Sequence, residues 1–265
     1  MRIKNLISFL SLVVGCGGMP DSGLGEASQS IIGGTTDTAD PAVMVLLAIP
    51  KPNSSSAYLC TVSLISPIVL LTAAHCVSPQ VVGNTATFRV YQNDDLNTRP
   101  SRWLNVKETR YDTQFNVNNL TAGHDIGVVI LSTPLKGVTP LPYNTSALAR
   151  NVIGGSIRLV GYGSNNGKSG GGVGTKRQTT TVVDALNDAL VQIGNSQKQT
   201  CSGDSGGPAL MRISGVETIV GVTSFGYEGC VYGGFDTRVD VYKNFINAYV
   251  RPTAAASLIN SYFIR

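Results

Sequence analysis

At 265 residues, with 42% hydrophobic and 14% charged residues, the chain is long enough to bury a sizeable core and too apolar to be disordered. Its formal charge of +4 survives removal of residues 1–30, but no Lys/Arg cluster accompanies it, so a phosphate-binding surface for nucleic acid is excluded. The five cysteines, Cys16, Cys60, Cys76, Cys201 and Cys230, show no CxxC spacing, so neither a metal site nor a cofactor is expected. Four lie in the body of the chain and one at the end of an apolar N-terminal run, which points to two disulfides and one cysteine with a separate fate.

Residues 1–15 place Arg2 and Lys4 before LISFLSLVV, a run too short to span a bilayer but fitting an export signal. Val13-Val14-Gly15-Cys16 also resembles a bacterial lipobox, in which case Cys16 is lipidated; an ordinary secretory signal, cut a little later, is the alternative. Either way the protein is expected to be exported, as a secreted protein or one held at a periplasmic or outer-membrane surface by a lipid. Residues 16–30 are small and polar and read as a linker or pro-segment.

From Ile31 the composition changes. Short runs rich in Val, Ile, Leu and Thr follow one another: Ala42 to Ile49, Tyr58 to Ile65, Ile68 to Thr72, Thr85 to Tyr91, Ile126 to Leu131, Ser156 to Val160, Thr179 to Val183, Ala209 to Ile213 and Thr218 to Phe225. Gly, Pro, Asn and Ser clusters separate them, which is the pattern of an all-β antiparallel barrel or sandwich. Residues 161–175 are so glycine-rich that a mobile loop is expected; phosphate binding is disfavoured because no Walker pattern accompanies them. Val239 to Val250 carries apolar residues at helical spacing and predicts a C-terminal amphipathic helix, leaving residues 251–265 as a tail.

The chemistry concentrates in Cys201 to Pro208, CSGDSGGP. A serine becomes a nucleophile only when a base takes its proton, and the oxyanion it creates needs backbone N–H donors. Ser205 fits the first role, and the Gly203 and Ser205 N–H groups fit the second; a plain Gly/Ser/Asp surface turn is the bland alternative. Only two histidines are present. His75 lies in Thr72-Ala73-Ala74-His75-Cys76, a small-residue turn after an apolar run, where a general base could be held in one orientation. Asp125, placed before the apolar run from Ile126, would need a partner if buried, and an imidazole N–H would supply it.

IIGG, TAAHC, HDIGVVIL, GDSGGP and Ser224-Phe225-Gly226, in that order, resemble the motifs of trypsin-like (chymotrypsin-fold) serine proteases over about 31–250. The resemblance implies two six-stranded antiparallel β-barrels with a C-terminal helix and a cleft between the barrels. It implies a triad of His75, Asp125 and Ser205, an oxyanion hole from Gly203 and Ser205, and disulfides Cys60–Cys76 and Cys201–Cys230. His124 falls at a variable position and receives no role. It further implies a zymogen in which a cut before Ile31 frees an amine that pairs with Asp204. Ser30 stands where many relatives carry Arg or Lys, so the partner is an activating protease of other specificity, or the chain itself.

The same resemblance assigns Gln199, Thr200, Ser224, Phe225, Gly226 and Gly234 to the substrate pocket. Gln199 is neutral where an acid would select Arg or Lys, so a large apolar or neutral polar side chain before the scissile bond is expected. Asp236 falls near the pocket base and could supply a negative charge or serve as a turn residue. The expected activity is serine endopeptidase action on protein or peptide substrates by a monomer. The alternatives are a catalytically silent binding module of the same fold and an esterase, the latter disfavoured by the order His, Asp, Ser.

Overall fold

Runs of β-branched and aliphatic residues form thirteen strands in the computed structural model, which describes residues 31–250 apart from 53, 55 and 98–101. The export signal, Cys16, the linker and the tail all lie outside the described residues. After a two-residue β1 (Thr35–Thr36), the first half builds β2 (Val43–Ile49), β3 (Tyr58–Ser66), β4 (Val69–Thr72), β5 (Thr87–Tyr91), β6 (Trp103–Tyr111) and β7 (Gly127–Leu131). These close into an antiparallel barrel in the order β2-β3-β4-β7-β6-β5. The second half builds β8 (Ser156–Gly161), β9 (Arg177–Leu186), β10 (Leu190–Ile193), β11 (Pro208–Ile213), β12 (Val216–Gly226) and β13 (Gly234–Arg238). Their order is β9-β10-β13-β12-β11-β8, and β8–β9 pairing closes the ring, with β1 added beside β9. Closure leaves neither barrel with a free strand edge. The expected pair of six-stranded barrels is therefore present.

Four strands were not legible in the sequence, the two-residue β1 among them. β6 reads WLNVKETRY, in which Trp103, Asn105, Lys107 and Arg110 are exposed and Lys107, Glu108 and Arg110 dilute the apolar signal. β10 is only LVQI, and β13 is GFDTR, a strand whose buried side chains are largely polar. The C-terminal helix α2 covers Lys243–Val250 and starts later than the spacing predicts, because Val239 N still donates to Val220 O across the sheet at 3.0 Å. A four-residue helix α1 (Pro79–Val82) was also unforeseen; Ser78 caps it, accepting from Gln80 N, and Pro79 opens it.

The glycine-rich segment also departs from expectation, because its own polar groups hold it in a defined path. Asn165 N donates to Gly171 O at 2.9 Å, Gly170 N to Asn166 O at 2.8 Å, and Arg177 clamps Gly172 O at 2.8 Å. Leu96 N of the first barrel donates to Gly174 O at 2.7 Å.

The barrels are joined by polar groups built around a buried lysine and a largely buried arginine. Lys176, 1% exposed, pairs with Asp94 at 2.7 Å and donates to Asp40 O at 2.7 Å. Arg158 on β8 binds Asp40 and Glu217 through both guanidinium edges, which straps the segment after β1 to the second barrel. Asp94 stays in contact with water when the Lys176 cation is removed, so the loss is chiefly the buried hydrogen bond to Asp40 O, about 1.5 kcal/mol. Lys176→Met should therefore lower the midpoint of thermal unfolding by roughly 5 °C, measured by circular dichroism.

Candidate active site

His75 sits in a 3-10 turn, Ala74–Cys76, that leaves β4, and Asp125 lies two residues before β7, the strand paired with β4. This pairing brings residues fifty apart in sequence together. Asp125 is fully buried; its Oδ2 lies 2.8 Å from His75 Nδ1, and its Oδ1 accepts the His75 backbone N–H at 2.8 Å. A third donor comes from the second barrel, where Ser224 Oγ on β12 donates to Oδ2. Burial would raise the Asp125 carboxyl, but the charge and hydrogen bond of His75, with the bonds from Ser224 and the backbone, outweigh it and hold the carboxyl below its usual range. Burial likewise lowers the imidazole, and the charge of Asp125 overrides it, so His75 is raised above its ordinary value.

Ser205 lies in the turn before β11, docked against the first barrel. Thr61 N on β3 donates to Ser205 O at 2.8 Å, and Thr61 Oγ1 donates to Gly203 O at 3.1 Å. Gly206 has φ +81, and a Cβ there would lie 2.1 Å from Thr72 Oγ1, so only glycine lets the turn approach this closely. Gly203, at φ +101, packs against Gly163 in the same way. His75, Gly203 and Ser205 line one cavity of about 170 Å³, walled on its other side by Tyr58, Leu59 and Val81.

Asp204, next to the serine, points away into the second barrel. It is fully buried, its oxygens accept Gly163 N at 2.7 Å and Cys201 N at 2.8 Å, and burial pushes it up to about 7. Its carboxylate occupies the space that side chains at Gly161 and Gly163 would need. Ile31 is also fully buried, packing with Ile157, Leu159 and Val191 in the core of that barrel. Ile32 is bridged to Gln199, whose N–H donates to Ile32 O at 3.2 Å.

The residues expected in the substrate pocket lie along β12, β13 and the segment before Cys201. Gln199 spends its whole amide on the backbone: Nε2 donates to Asn195 O and Cys230 O, both at 2.7 Å, and Oε1 accepts Gly233 N at 2.9 Å. Gly226 pairs with Gly234, Phe225 stacks on Phe235, and Thr200 Oγ1 would be 3.3 Å from a Cβ at Gly234. Ser224 turns its hydroxyl to Asp125, so its side chain serves the His75–Asp125 pair rather than the pocket.

Disulfides join Cys60 to Cys76, behind the histidine turn, and Cys201 to Cys230, beside the pocket. Cys60, Cys76 and His75 cluster within 4.8 Å, but both sulfurs are bonded to each other and the imidazole alone remains as a ligand. His124 pairs with Asp112 at 3.0 Å and donates its N–H to Tyr242 OH, tying the strand end to the C-terminal segment. Sequence reasoning missed Thr61, which carries no motif, and Gly161 and Gly163, whose placement around Tyr162 was the available signal.

Two closed barrels meeting at a buried His–Asp pair, with a serine on a GDSGG turn docked across the seam, are the architecture of a serine peptidase. The family model described as Trypsin matches residues 31–246, and the chain belongs to that family. It is 29% identical to chymotrypsin-like elastase family member 1 of Bos taurus, over 91% of this chain and 97% of the relative. Identity is 26% to trypsin Tyr p 3.0101 of Tyrophagus putrescentiae, over 75% of this chain and 74% of the relative. It is 27% to phenoloxidase-activating enzyme 1 of Spodoptera litura, over 89% and 70%.

With two histidines, the imidazole signals can be followed separately by NMR. His75 should titrate above about 6.5, the ordinary imidazole value. Ser224→Ala removes a hydrogen bond that shares the Asp125 charge, so the His75 pKa should rise further; an unchanged or lower value would contradict this account of the pair.

Proposed function

We propose that the chain is a serine endopeptidase working through His75, Asp125 and Ser205, with residues 31–250 as the peptidase unit. The observation that carries this is the buried Asp125 carboxylate gripping both Nδ1 and the backbone N–H of His75, on the same cavity as Ser205. Ser205 Oγ attacks the scissile carbonyl as His75 Nε2 takes its proton, and the Gly203 and Ser205 N–H groups receive the oxyanion. His75 then protonates the leaving amine, and water enters by the same route to release the acyl group from Ser205. Asp125 keeps the proton on Nδ1, leaving Nε2 free as the base. Because the base must be neutral, activity falls as pH drops through the raised His75 pKa.

Ser205→Ala should reduce peptide turnover by about 10⁶-fold while preserving the fold. N-terminal sequencing run with a fluorogenic peptide panel tests this: a start at Ile31 with Ser205-dependent cleavage supports it. A stable protein starting at Cys16, inert to peptides and unlabelled by an organophosphonate, would indicate a silent binding module.

The zymogen reading rests on the burial of Asp204, which among the described residues forms no ion pair and feels Arg177 only as a minor, more distant charge, and on the burial of Ile31 in the same barrel. Between pH about 4 and about 7 the folded, uncut chain holds a proton on Asp204 that the unfolded chain has lost, so stability falls as pH rises through that window. An Ile31 ammonium lowers the Asp204 pKa and cancels the loss. The gain in unfolding temperature on processing should therefore be larger at pH 8 than at pH 5; an equal gain at both would refute the pair. Either an activating protease that accepts Ser30 or the chain itself makes the cut.

The neutral Gln199 floor and the Gly226 and Gly234 walls support acceptance of large apolar or neutral polar side chains, so specificity is not confined to Arg and Lys. The two disulfides fit export to an oxidising compartment, with residues 1–15 as the signal and the enzyme acting as a monomer. The relatives named above come from animals and lend nothing to a bacterial source, so a lipid anchor rests on Val13-Val14-Gly15-Cys16 alone.

A further inference from the structure

Thr61 lies on β3 of the first barrel, fully buried, and its hydroxyl is shared between two places on the second. Oγ1 donates to Gly203 O at 3.1 Å and accepts the Tyr162 N–H, just past β8, at 3.2 Å. The side chain has little freedom to leave this position. Its β-branch restricts χ1, its backbone N–H is bound to Ser205 O at 2.8 Å, and its carbonyl accepts Thr72 Oγ1 at 3.1 Å.

The bond to Gly203 O acts on the peptide that links the two N–H groups assigned to the oxyanion. The other peptides of this turn are each held by a neighbour. Ser202 O accepts Ser164 N at 2.7 Å, Asp204 O accepts Gly207 N at 2.8 Å, and Gly206 N donates to Thr223 O at 2.8 Å. Among the described residues, Gly203 N and Ser205 N donate to no other group of the chain. The Gly203–Asp204 peptide lies between the two planes that carry them. Asp204 N holds one side of it, donating to Cys201 O at 2.9 Å, and Thr61 holds the carbonyl side. At Gly203, where φ is +101, no Cβ restricts rotation, so the direction of that carbonyl depends on the group that binds it.

We infer that Thr61, through its hydroxyl, is a positioning residue for the oxyanion hole: by fixing the Gly203–Asp204 peptide it sets the angle between the Gly203 and Ser205 N–H groups. The inference rests on the peptidase reading above for the identity of the hole. Donors stabilise an oxyanion only when aimed where its charge develops. Rotation of the middle plane therefore weakens both N–H contacts in the transition state, while ground-state binding along the rest of the cleft is little changed. Because the same hydroxyl accepts Tyr162 N, the docking of β3 against the end of β8 is transmitted to the hole.

Thr61→Val keeps the branched shape and removes the hydroxyl. The test uses the processed protein, its N-terminus recorded and its active sites counted by phosphonate labelling of Ser205 run to completion, so that misfolded molecules do not enter the rates. In Thr61→Val, kcat should fall about tenfold to a hundredfold, less than the loss of a whole donor, with KM changed by no more than about threefold. A peptide aldehyde adds Ser205 Oγ to its carbonyl carbon, the hydroxyl proton passing to His75 and the carbonyl oxygen entering the hole. It should bind more weakly by a similar factor, whereas the matching peptide alcohol, which forms no adduct, should bind about equally well. Thr61→Ser restores the hydroxyl and should recover kcat to within about threefold. The acid limb of kcat/KM against pH should stay in place; Cys60, next to Thr61, is bonded to Cys76 beside His75, and a disturbed imidazole would move it. Unchanged kcat in Thr61→Val, equal weakening of aldehyde and alcohol, or a shifted acid limb would overturn the role and leave the peptidase reading intact. If Thr61→Val does not fold, Thr61→Ala takes its place with the same expectations, and failure of both to fold would make Thr61 a structural tie and overturn the inference. Absence of phosphonate labelling in the unmutated protein would instead refute the peptidase reading, and this role with it.

Discussion

A carboxylate removed from water must be surrounded by donors, and Asp125 obtains its three from two separate barrels. His75 supplies two from the turn after β4, and Ser224 supplies the third from β12. This requirement fixes how the barrels meet. If the second barrel slid along the seam, Asp125 would lose Ser224 and the serine turn would lose Thr61, so the geometry of the site and the docking of the barrels form one constraint. Lys176, Arg158 and Tyr162 hold the same seam further from the site, again through groups that have few other partners.

Three buried aspartates show how compensation, more than burial, sets a carboxyl's behaviour. Asp125 has an imidazole, a backbone N–H and a hydroxyl, and is held below its usual range. Asp204 has two backbone N–H groups and rises to about 7, while Asp236 has one distant hydroxyl and rises to about 8. The series orders the three by what each still lacks. The first has three donors, the second two backbone donors and the distant charge of Arg177, and the third a single hydroxyl.

Glycine provides the space for these arrangements. Gly161 and Gly163 leave a seat for Asp204, Gly206 lets the serine turn touch Thr72, and Gly221 leaves room for Asp236. Each stands where a side chain would overlap a functional group or the turn that carries it, so these glycines are as much part of the site as the polar residues they admit.

The runs of aliphatic residues made an antiparallel β architecture legible in the chain itself, because local apolar pattern is written in adjacent residues, whereas the two barrels and the candidate site residues came through the resemblance that TAAHC and GDSGGP carry. β6 and β13 were not legible, since one face of the first meets solvent and the second buries polar side chains whose partners are on other strands. The path of the glycine-rich segment, the role of Thr61 and the turning of Ser224 toward Asp125 were likewise decided only by the tertiary structure. So was the isolation of Asp236. Sequence alone determined which residue types were available and roughly which strands carried them; which groups found partners, and which were left without, depended on contacts between residues as far apart as Asp125 and Ser224, and such contacts exist only once the barrels have closed.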